Sequence, residues 1–458
     1  MISRLTLLTF LMVVIATPGR AAAPPNNDVS DGLFNTAGGS SALFNNIDGV
    51  ANTAFGDFAL YGNLHDSNNT AFGNSALQDG GGGDNTAVGA SALIGNTGND
   101  NTGVGYQALL NSTGGSNTAV GVQVLFNNDT GEADTASGFE ALYNNTTGSD
   151  NTAAGYQAMF SNHSGFFNTA SGYQALMSNI SGSSNSASGY QALFSNTTGK
   201  SNTADGDLAL ENNTTGSNNA AVGDSALISN QTGNNNAALG VGALGASNGN
   251  NNTGLGFNTL SNNPDGSGNI AVGSGAGSKV TGGSDDIYIG NKGKGAESDT
   301  IRIGSAQTQT FIAGINGTPV SGSTVLINKK GQLGILASSA RYKRDIEPMG
   351  STSERLLDLR PVTFRYKADP SNELQYGLVA EEVARAYPEL VVRSEDGKVQ
   401  SVKYEELIPM LLNEVQRQRA ALAQMKARED AQRETDEALA ARLTRLEESA
   451  AVGTIASR

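Results

Sequence analysis

The sequence predicts a mainly β protein whose largest part is a parallel β-solenoid, or β-roll, of 16–17-residue repeats. Three observations support this prediction. A glycine recurs at a fixed spacing, an asparagine precedes nearly every one of these glycines by four residues, and the units are poor in helix formers. Repetition at a fixed period is the signature of repeat architectures. We expect a β neck, a small α+β domain and a C-terminal coiled-coil helix to follow.

The registered glycines mark fifteen copies of the repeat. They are Gly39, Gly56, Gly73, Gly89, Gly105, Gly121, Gly138, Gly155, Gly172, Gly189, Gly206, Gly223, Gly240, Gly256 and Gly273. The residue four positions earlier is Asn in every copy except one, which has Asp134. Ala-Leu usually follows the glycine at the third and fourth positions, as in Ala175-Leu176, and turn residues such as Asn-Thr-Thr-Gly at 196–199 complete the unit.

Each unit is expected to form a short strand, a corner at the glycine, a second short strand and an Asn/Thr/Gly turn, because these residues tolerate tight turns and left-handed φ. The registered Asn side chains are expected to stack from coil to coil, as amide ladders do in stacked β structures. The Leu row is expected to face either the coil interior or a neighbouring chain. A disordered spacer is the alternative interpretation, but disorder does not require a strict register.

Composition excludes several classes of site and partner. The chain has no Cys and only two His, His65 and His163, so a thiolate or multi-histidine metal site is not expected, and neither is a cofactor. Its net charge of −15 argues against nucleic-acid binding.

The N-terminus has the pattern of a signal peptide over residues 1–23. Arg4 supplies positive charge, residues 5–17 form a short apolar run, and Ala21-Ala22-Ala23 offers a cleavage site. An uncleaved anchor is the alternative. No other stretch is long and apolar enough to span a bilayer, so we expect no transmembrane anchor. These features predict an exported protein, located outside or at the surface of a bacterium.

Changes in residue pattern divide the rest of the chain. The predicted segments are the repeat array (24–283), the neck (284–337), the α+β core (338–404), the long helix (405–450) and a tail (451–458). Short strands in the neck are expected at Ile287–Ile289, Ile301–Ile303, Thr310–Ala313 and Val325–Ile327.

The long helix carries a heptad pattern that predicts a coiled coil with a polar middle. Its a and d positions are Ile408, Leu411, Val415, Gln418, Leu422, Met425, Glu429, Gln432, Asp436, Leu439, Leu443 and Leu446. A helical hairpin or a lone surface helix would be the alternative.

A serine stands five residues before a lysine at the junction between array and C-terminal module. The hydroxyl of Ser338 needs a base to become a nucleophile, and Lys343 can serve if desolvation or a nearby cation lowers its pKa. Arg341 and Arg344 flank that lysine. The spacing alone is a weak signal, and a plain polar linker is the alternative interpretation.

Four motifs in the module carry a resemblance to a known family. They are SSARYKRDI (338–346), LRPVTFRYK (359–367), YGLVAEEV (376–383) and VKYEELIPMLL (402–412). In this order they resemble the endosialidase-type intramolecular chaperone domain, over residues 338–458. The resemblance implies a homotrimer that guides folding of the preceding stalk and then cuts itself once in cis, with no turnover on external substrates. It implies Ser338 as nucleophile, Lys343 as base and Ala337–Ser338 as the cleaved bond. The family usually has Asp where Ser339 stands here.

The array resembles the heads of trimeric autotransporter adhesins, although its repeat is longer. Together the two resemblances predict a trimeric, adhesin-like fibre whose external partner is a surface glycan or a host receptor. The alternatives are a tailspike-like glycan depolymerase and a fibre with a non-cleaving trimerisation cap. A depolymerase needs paired carboxylates, whereas the acids of the array are scattered. Examples are Asp84, Asp134, Glu140, Asp205 and Asp207.

Overall fold

A computed structural model describes residues 29–312, 324–328, 331–335, 337–367, 370–394 and 396–455. The predicted signal peptide lies outside these residues. The chain divides into two compact units, Met1–Ile312 and Ala313–Arg458. The predicted order of a β-solenoid, small β-sheets and a C-terminal helix is confirmed.

The first unit is a solenoid with one three-residue strand in each coil. After β1 (Val29–Ser30), these strands are β2 (Thr36–Gly38), β3 (Thr53–Phe55), β4 (Thr70–Phe72), β5 (Thr86–Val88), β6 (Thr102–Val104), β7 (Thr118–Val120), β8 (Thr135–Ser137), β9 (Thr152–Ala154), β10 (Thr169–Ser171), β11 (Ser186–Ser188), β12 (Thr203–Asp205), β13 (Ala220–Val222), β14 (Ala237–Leu239), β15 (Thr253–Leu255), β16 (Ile270–Val272), β17 (Ile287–Ile289) and β18 (Ile301–Ile303).

From β2 to β18 every strand pairs in parallel with the next one along the chain, in the register of the repeat. Thr152 pairs with Thr169, for example, and Ala153 with Ala170. β17 and β18 continue the same ladder, so the first two strands expected in the neck extend the solenoid. Residues 310–312 are not in a strand, and Ala313 lies outside the described residues.

The second strand expected after each corner glycine does not form; that expectation was wrong. In the coil of Gly155 the residues Gln157 and Met159 have φ of 50° and 53°, and equivalent positions repeat these positive values along the array. Positive φ at alternate residues is incompatible with an extended strand. The segment still bonds to the next coil, because the N–H of Met159 donates to the carbonyl of Ala175 at 2.9 Å.

The burial of the Leu row shows which way it faces, a point that the sequence left open. Ala175 and Leu176 are completely buried within one chain, as are the equivalent residues of most other coils. The row therefore faces the coil interior and not a neighbouring chain. Tyr288, the largest fully buried side chain, takes the interior position at the far end of this core.

The predicted asparagine ladder is present. Asn168 Oδ1 accepts from the backbone N–H of Asn185 at 3.0 Å, and Asn185 Nδ2 donates to the carbonyl of Gly199 at 2.9 Å. A second ladder, formed by Asn seven residues after most of the corner glycines, was not predicted; there Asn162 Nδ2 donates to Asn145 Oδ1 at 2.7 Å. Buried amides are stable only when hydrogen-bonded, and each ladder supplies partners from the adjacent coils. The second ladder is interrupted in some coils, and there the buried Oδ1 atoms of Asn63, Asn230 and Asn263 have no partner among the described residues.

The described residues of the second unit form three small antiparallel strand pairs and two helices. Its strands are β19 (Val325–Ile327) with β20 (Leu333–Ile335), β21 (Val362–Phe364) with β22 (Gln375–Gly377), and β23 (Val391–Arg393) with β24 (Val399–Val402). Its helices are α1 (Ala380–Ala386) and α2 (Tyr404–Ile455), with short 3₁₀ turns at Ala340–Tyr342, Glu354–Asp358 and Pro388–Leu390.

A small apolar core joins α1, the β23–β24 pair and the start of α2. Its buried residues are Leu356, Val383, Tyr387, Leu390, Val391, Val402, Leu407 and Met410. Pro409 lies within the first turns of α2, close to the helix start where proline is tolerated. Among the described residues, none of the helices has the length and apolar character required to cross a membrane.

Candidate functional site

The predicted nucleophile and base lie on either side of a single 3₁₀ turn. The turn closes through two backbone hydrogen bonds of 3.0 Å, from the N–H of Tyr342 to the carbonyl of Ser339 and from the N–H of Lys343 to the carbonyl of Ala340. It brings Lys343 Nζ to 3.4 Å from Ser338 Oγ. The spacing of five residues therefore suffices for contact, because one turn reverses the chain between them.

The environment of this pair is open in the single chain. Ala337, Ser338 and Lys343 are all exposed, and 3.4 Å is at the long end for a hydrogen bond between nitrogen and oxygen. A lysine becomes a general base when its charged form is desolvated or repelled. The exposed arrangement brings the two side chains close together but does not desolvate Lys343. Desolvation would require another surface to cover this lysine.

Each of the two flanking arginines has another contact. The guanidinium of Arg341 lies 4.7 Å from the ring centroid of Tyr342, its neighbour in sequence. Arg344 Nε lies 3.8 Å from Asp345 Oδ2. Both arginines nevertheless keep positive charge within two residues of Lys343.

The predicted heptad seam of α2 is a second candidate surface. Its apolar members are each more than half exposed: Ile408, Leu411, Val415, Leu422, Met425, Leu439, Leu443 and Leu446. Soluble monomers rarely expose a contiguous apolar row of this kind. The seam therefore has the character of a contact surface that one chain leaves uncovered.

Two of the acids considered for a depolymerase are placed unfavourably. Asp134 is fully buried in the first asparagine ladder, where no polymer can reach it. Glu140 Oε2 accepts a hydrogen bond of 2.7 Å from Gln157 Nε2 in the next coil. Across the described residues, no cluster of His, Cys, Asp or Glu has the arrangement of a metal site.

Comparison with known families gives one match. Residues 338–392 match the family described as the chaperone of endosialidase. The match begins at Ser338 and extends to β23, so the long helix α2 lies outside it. No curated protein and no solved structure matches the chain significantly. The likeness of the array to adhesin heads therefore stays a resemblance.

Proposed function

We propose that the chain forms a trimeric fibre whose C-terminal module acts as an intramolecular chaperone and then cleaves the chain at Ala337–Ser338. The observation that carries this proposal is the family match, which begins at Ser338, the residue that contacts Lys343. The β-solenoid that precedes the module is the stalk that such a chaperone would serve.

The trimer is supported by the exposed seam of α2. Three parallel copies of this helix would bury the a and d residues of the two apolar stretches, 408–425 and 439–446, against one another. The polar interval at Glu429, Gln432 and Asp436 would weaken the middle of the coiled coil. Such a weak interval suits a module that is released after assembly.

The chaperone role would concern the assembly of three stalks. Within one chain each strand pairs with its sequence neighbour, usually 16–17 residues away, so the demanding step is to bring three chains into register, and a stalk that waits for its partners exposes apolar surface meanwhile. Joining three chains at the module first would raise the local concentration of the stalks. Cleavage afterwards would leave a fibre that cannot unfold by reversing its assembly.

In the proposed cleavage step, Ser338 Oγ attacks the carbonyl carbon of Ala337 while Lys343 takes the hydroxyl proton. The peptide C–N bond breaks, the proton passes to the departing amino group of Ser338, and an ester joins Ala337 to Ser338 Oγ. Water then hydrolyses the ester. Because both side chains are exposed in one chain, we propose that trimer formation excludes water around Lys343 and so links cleavage to completed assembly.

The proposed mature product comprises about residues 24–337, exported from a bacterium and acting outside it as an adhesin-like fibre. Its outward-facing coils would meet a surface glycan or a host receptor. A uniform stack of coils supports a structural or adhesive role, because the described array has little variation from which to build a catalytic pocket.

The trimer is tested by sedimentation of the uncut Ser338→Ala chain, which keeps α2 attached to the stalk, beside two double variants made in the same background. Leu422→Gln/Met425→Gln places polar side chains in the seam, and we expect it to dissociate or to assemble much more weakly. Ala420→Gln/Ala427→Gln is the matched control, since both residues lie at the f position opposite the seam and should remain trimeric. Equal behaviour of the two variants, or a monomeric natural chain, would contradict the proposal.

A further inference from the structure

An apolar stripe runs along the outside of the solenoid, beside the corner glycines. We call it the corner stripe. Each member immediately precedes or follows a corner glycine, or precedes Gly290 or Gly304 at the ends of β17 and β18. The members are 36–71 % exposed: Phe72, Val88, Tyr106, Val120, Val122, Phe139, Tyr156, Tyr173, Tyr190, Val222, Leu239, Val241, Leu255, Phe257, Ile289 and Ile303. This row is separate from the Leu and Ala residues that fill the interior.

The stripe stays continuous because bulky side chains occur at one or both of two positions, directly before and directly after the glycine. In the coils from Gly138 to Gly189, a bulky aromatic follows the glycine and a small residue precedes it, as with Ser171 and Tyr173. Towards both ends of the array a bulky residue precedes the glycine, as in Phe72 and Leu255, and in some of these coils another follows it, as Phe257 follows Gly256. The stripe therefore keeps bulk in almost every coil from β4 to β18.

The length of the stripe limits what can cover it. With about 4.8 Å between neighbouring strands, the fifteen strands from β4 to β18 span roughly 67 Å. Apolar patches larger than a few hundred Å² are uncommon on monomers and mark interaction surfaces. A short glycan or a small globular partner would cover only a few coils of a surface this long.

The aromatic part of the stripe is poorly suited to stacking against sugar rings. Phe139, Tyr156, Tyr173 and Tyr190 stack on one another at 5.1–5.4 Å, with ring planes within 9° of parallel. The neighbouring rings cover the faces within the stack, so mainly the ring edges are exposed on the outer surface. A row of edges favours packing against another extended protein surface.

We propose that the corner stripe is the surface along which the solenoids of two copies of this chain meet. A second copy has the same coil spacing and the same length, so it can match the stripe coil for coil. This inference rests on the trimer proposed above. In a cyclic trimer with its axis along the fibre, identical rows of each copy come together at the same level when the row faces that axis, and this is the arrangement proposed for the corner stripe.

In one coil the stripe is replaced by acidic residues on both sides of the glycine, and the proposed interface makes a prediction there. At Gly206 both flanking residues are acidic, Asp205 and Asp207. Three copies would bring six carboxylates to one level, and like charges held together are destabilising. In a fibre without this interface the same carboxylates would stay apart in water.

The interface is tested by cross-linking in the full chain, which contains no natural cysteine. Ser171→Cys places a thiol on the corner stripe by a near-isosteric change. Ser164→Cys is the matched control; Ser164 is also exposed and lies about half a coil away, nine residues after Gly155. With a short bismaleimide we expect Ser171→Cys to give linked pairs, involving at most two of the three chains in a trimer, and Ser164→Cys to give none.

The outcomes separate the two proposals. A trimer in which Ser171→Cys stays unlinked, or in which Ser164→Cys links equally well, would overturn the interface and leave the trimer intact. A monomeric chain in sedimentation would overturn both.

A second pair of variants tests the interface without cross-linking. Asp205→Asn/Asp207→Asn is expected to raise the Tm of the trimer by a few degrees at low salt and by less at high salt, because it removes repulsion that salt also screens. Asn can keep the acceptor role of Asp207, whose Oδ1 takes the N–H of Tyr190 at 3.1 Å. The control Asp129→Asn/Asp265→Asn removes two exposed carboxylates on the turn side, and an equal shift there would overturn the proposal.

Discussion

Replacement of Ser338 by Ala is expected to leave one full-length chain, whereas the natural chain yields two products divided at Ala337–Ser338. The expected loss of cleavage is complete, because among the described residues Ser338 supplies the hydroxyl that contacts Lys343, with Nζ 3.4 Å from Oγ. Intact mass of the purified proteins, expressed without residues 1–23, measures the outcome directly.

Two further variants sharpen this test. Ser339→Ala is the matched control, since it removes the neighbouring hydroxyl and should still be cut. Lys343→Arg is expected to abolish cleavage while keeping the positive charge, because a guanidinium does not give up its proton at neutral pH. An uncut natural trimer would show that the module is a permanent trimerisation cap. Cleavage that persists in Ser338→Ala would refute the assigned nucleophile.

Replacement of Asp134 by Asn is expected to stabilise the solenoid at neutral and alkaline pH. Asp134 occupies the position that holds Asn in the other copies of the ladder. Its Oδ2 accepts a hydrogen bond from Asn145 Nδ2 at 2.8 Å. In the next coil Asn151 occupies the same repeat position, and its Nδ2 instead donates to the carbonyl of Gly165 at 2.9 Å. A protonated carboxyl regains a donor and so resembles Asn more closely than a carboxylate does.

The pH dependence has a definite sign. Burial raises the pKa of Asp134 to about 7, hydrogen bonds from Asn151 and Asn145 oppose this, and the charge of Asp150 adds a smaller increase. The folded chain thus holds a proton that the unfolded chain loses near the ordinary pKa of 3.8. The contribution of this proton to the free energy of unfolding is complete below about pH 4. It falls as the pH rises to about 7, and the free energy of unfolding no longer changes on this account at higher pH.

A pKa difference of this size corresponds to a loss on the order of 4 kcal/mol in the free energy of unfolding at pH 8, relative to its value below pH 4. Thermal or denaturant unfolding of the natural chain and Asp134→Asn, measured from pH 4 to pH 8, should therefore show a gap that widens with pH. Asp150→Asn is the control, because it removes a nearby exposed charge at a position with φ of 58°, which Asn tolerates. Parallel pH profiles for the natural chain and Asp134→Asn would contradict the assignment.

The asparagine register shows how far repeat patterns determine structure. Fourteen registered asparagines and one aspartate predicted a coil-to-coil ladder, and the ladder is present because each amide finds its partner one repeat away. The second ladder was missed because its residues, such as Asn145 and Asn162, lie in segments that also have the composition of simple turns. A search for registered Asn at every position of the repeat would have found it.

The amino-acid sequence by itself determined the solenoid, its period, the corner glycines, the long helix and the proximity of Ser338 to Lys343. These features depend on residues within one repeat or one turn. Only the tertiary structure decided that the Leu row faces inward, that the second strand is replaced by residues with positive φ, that Asp134 is buried, and that the corner stripe lies outside. These outcomes depend on which atoms of neighbouring coils surround a side chain, and that packing is set by the stacked coils together.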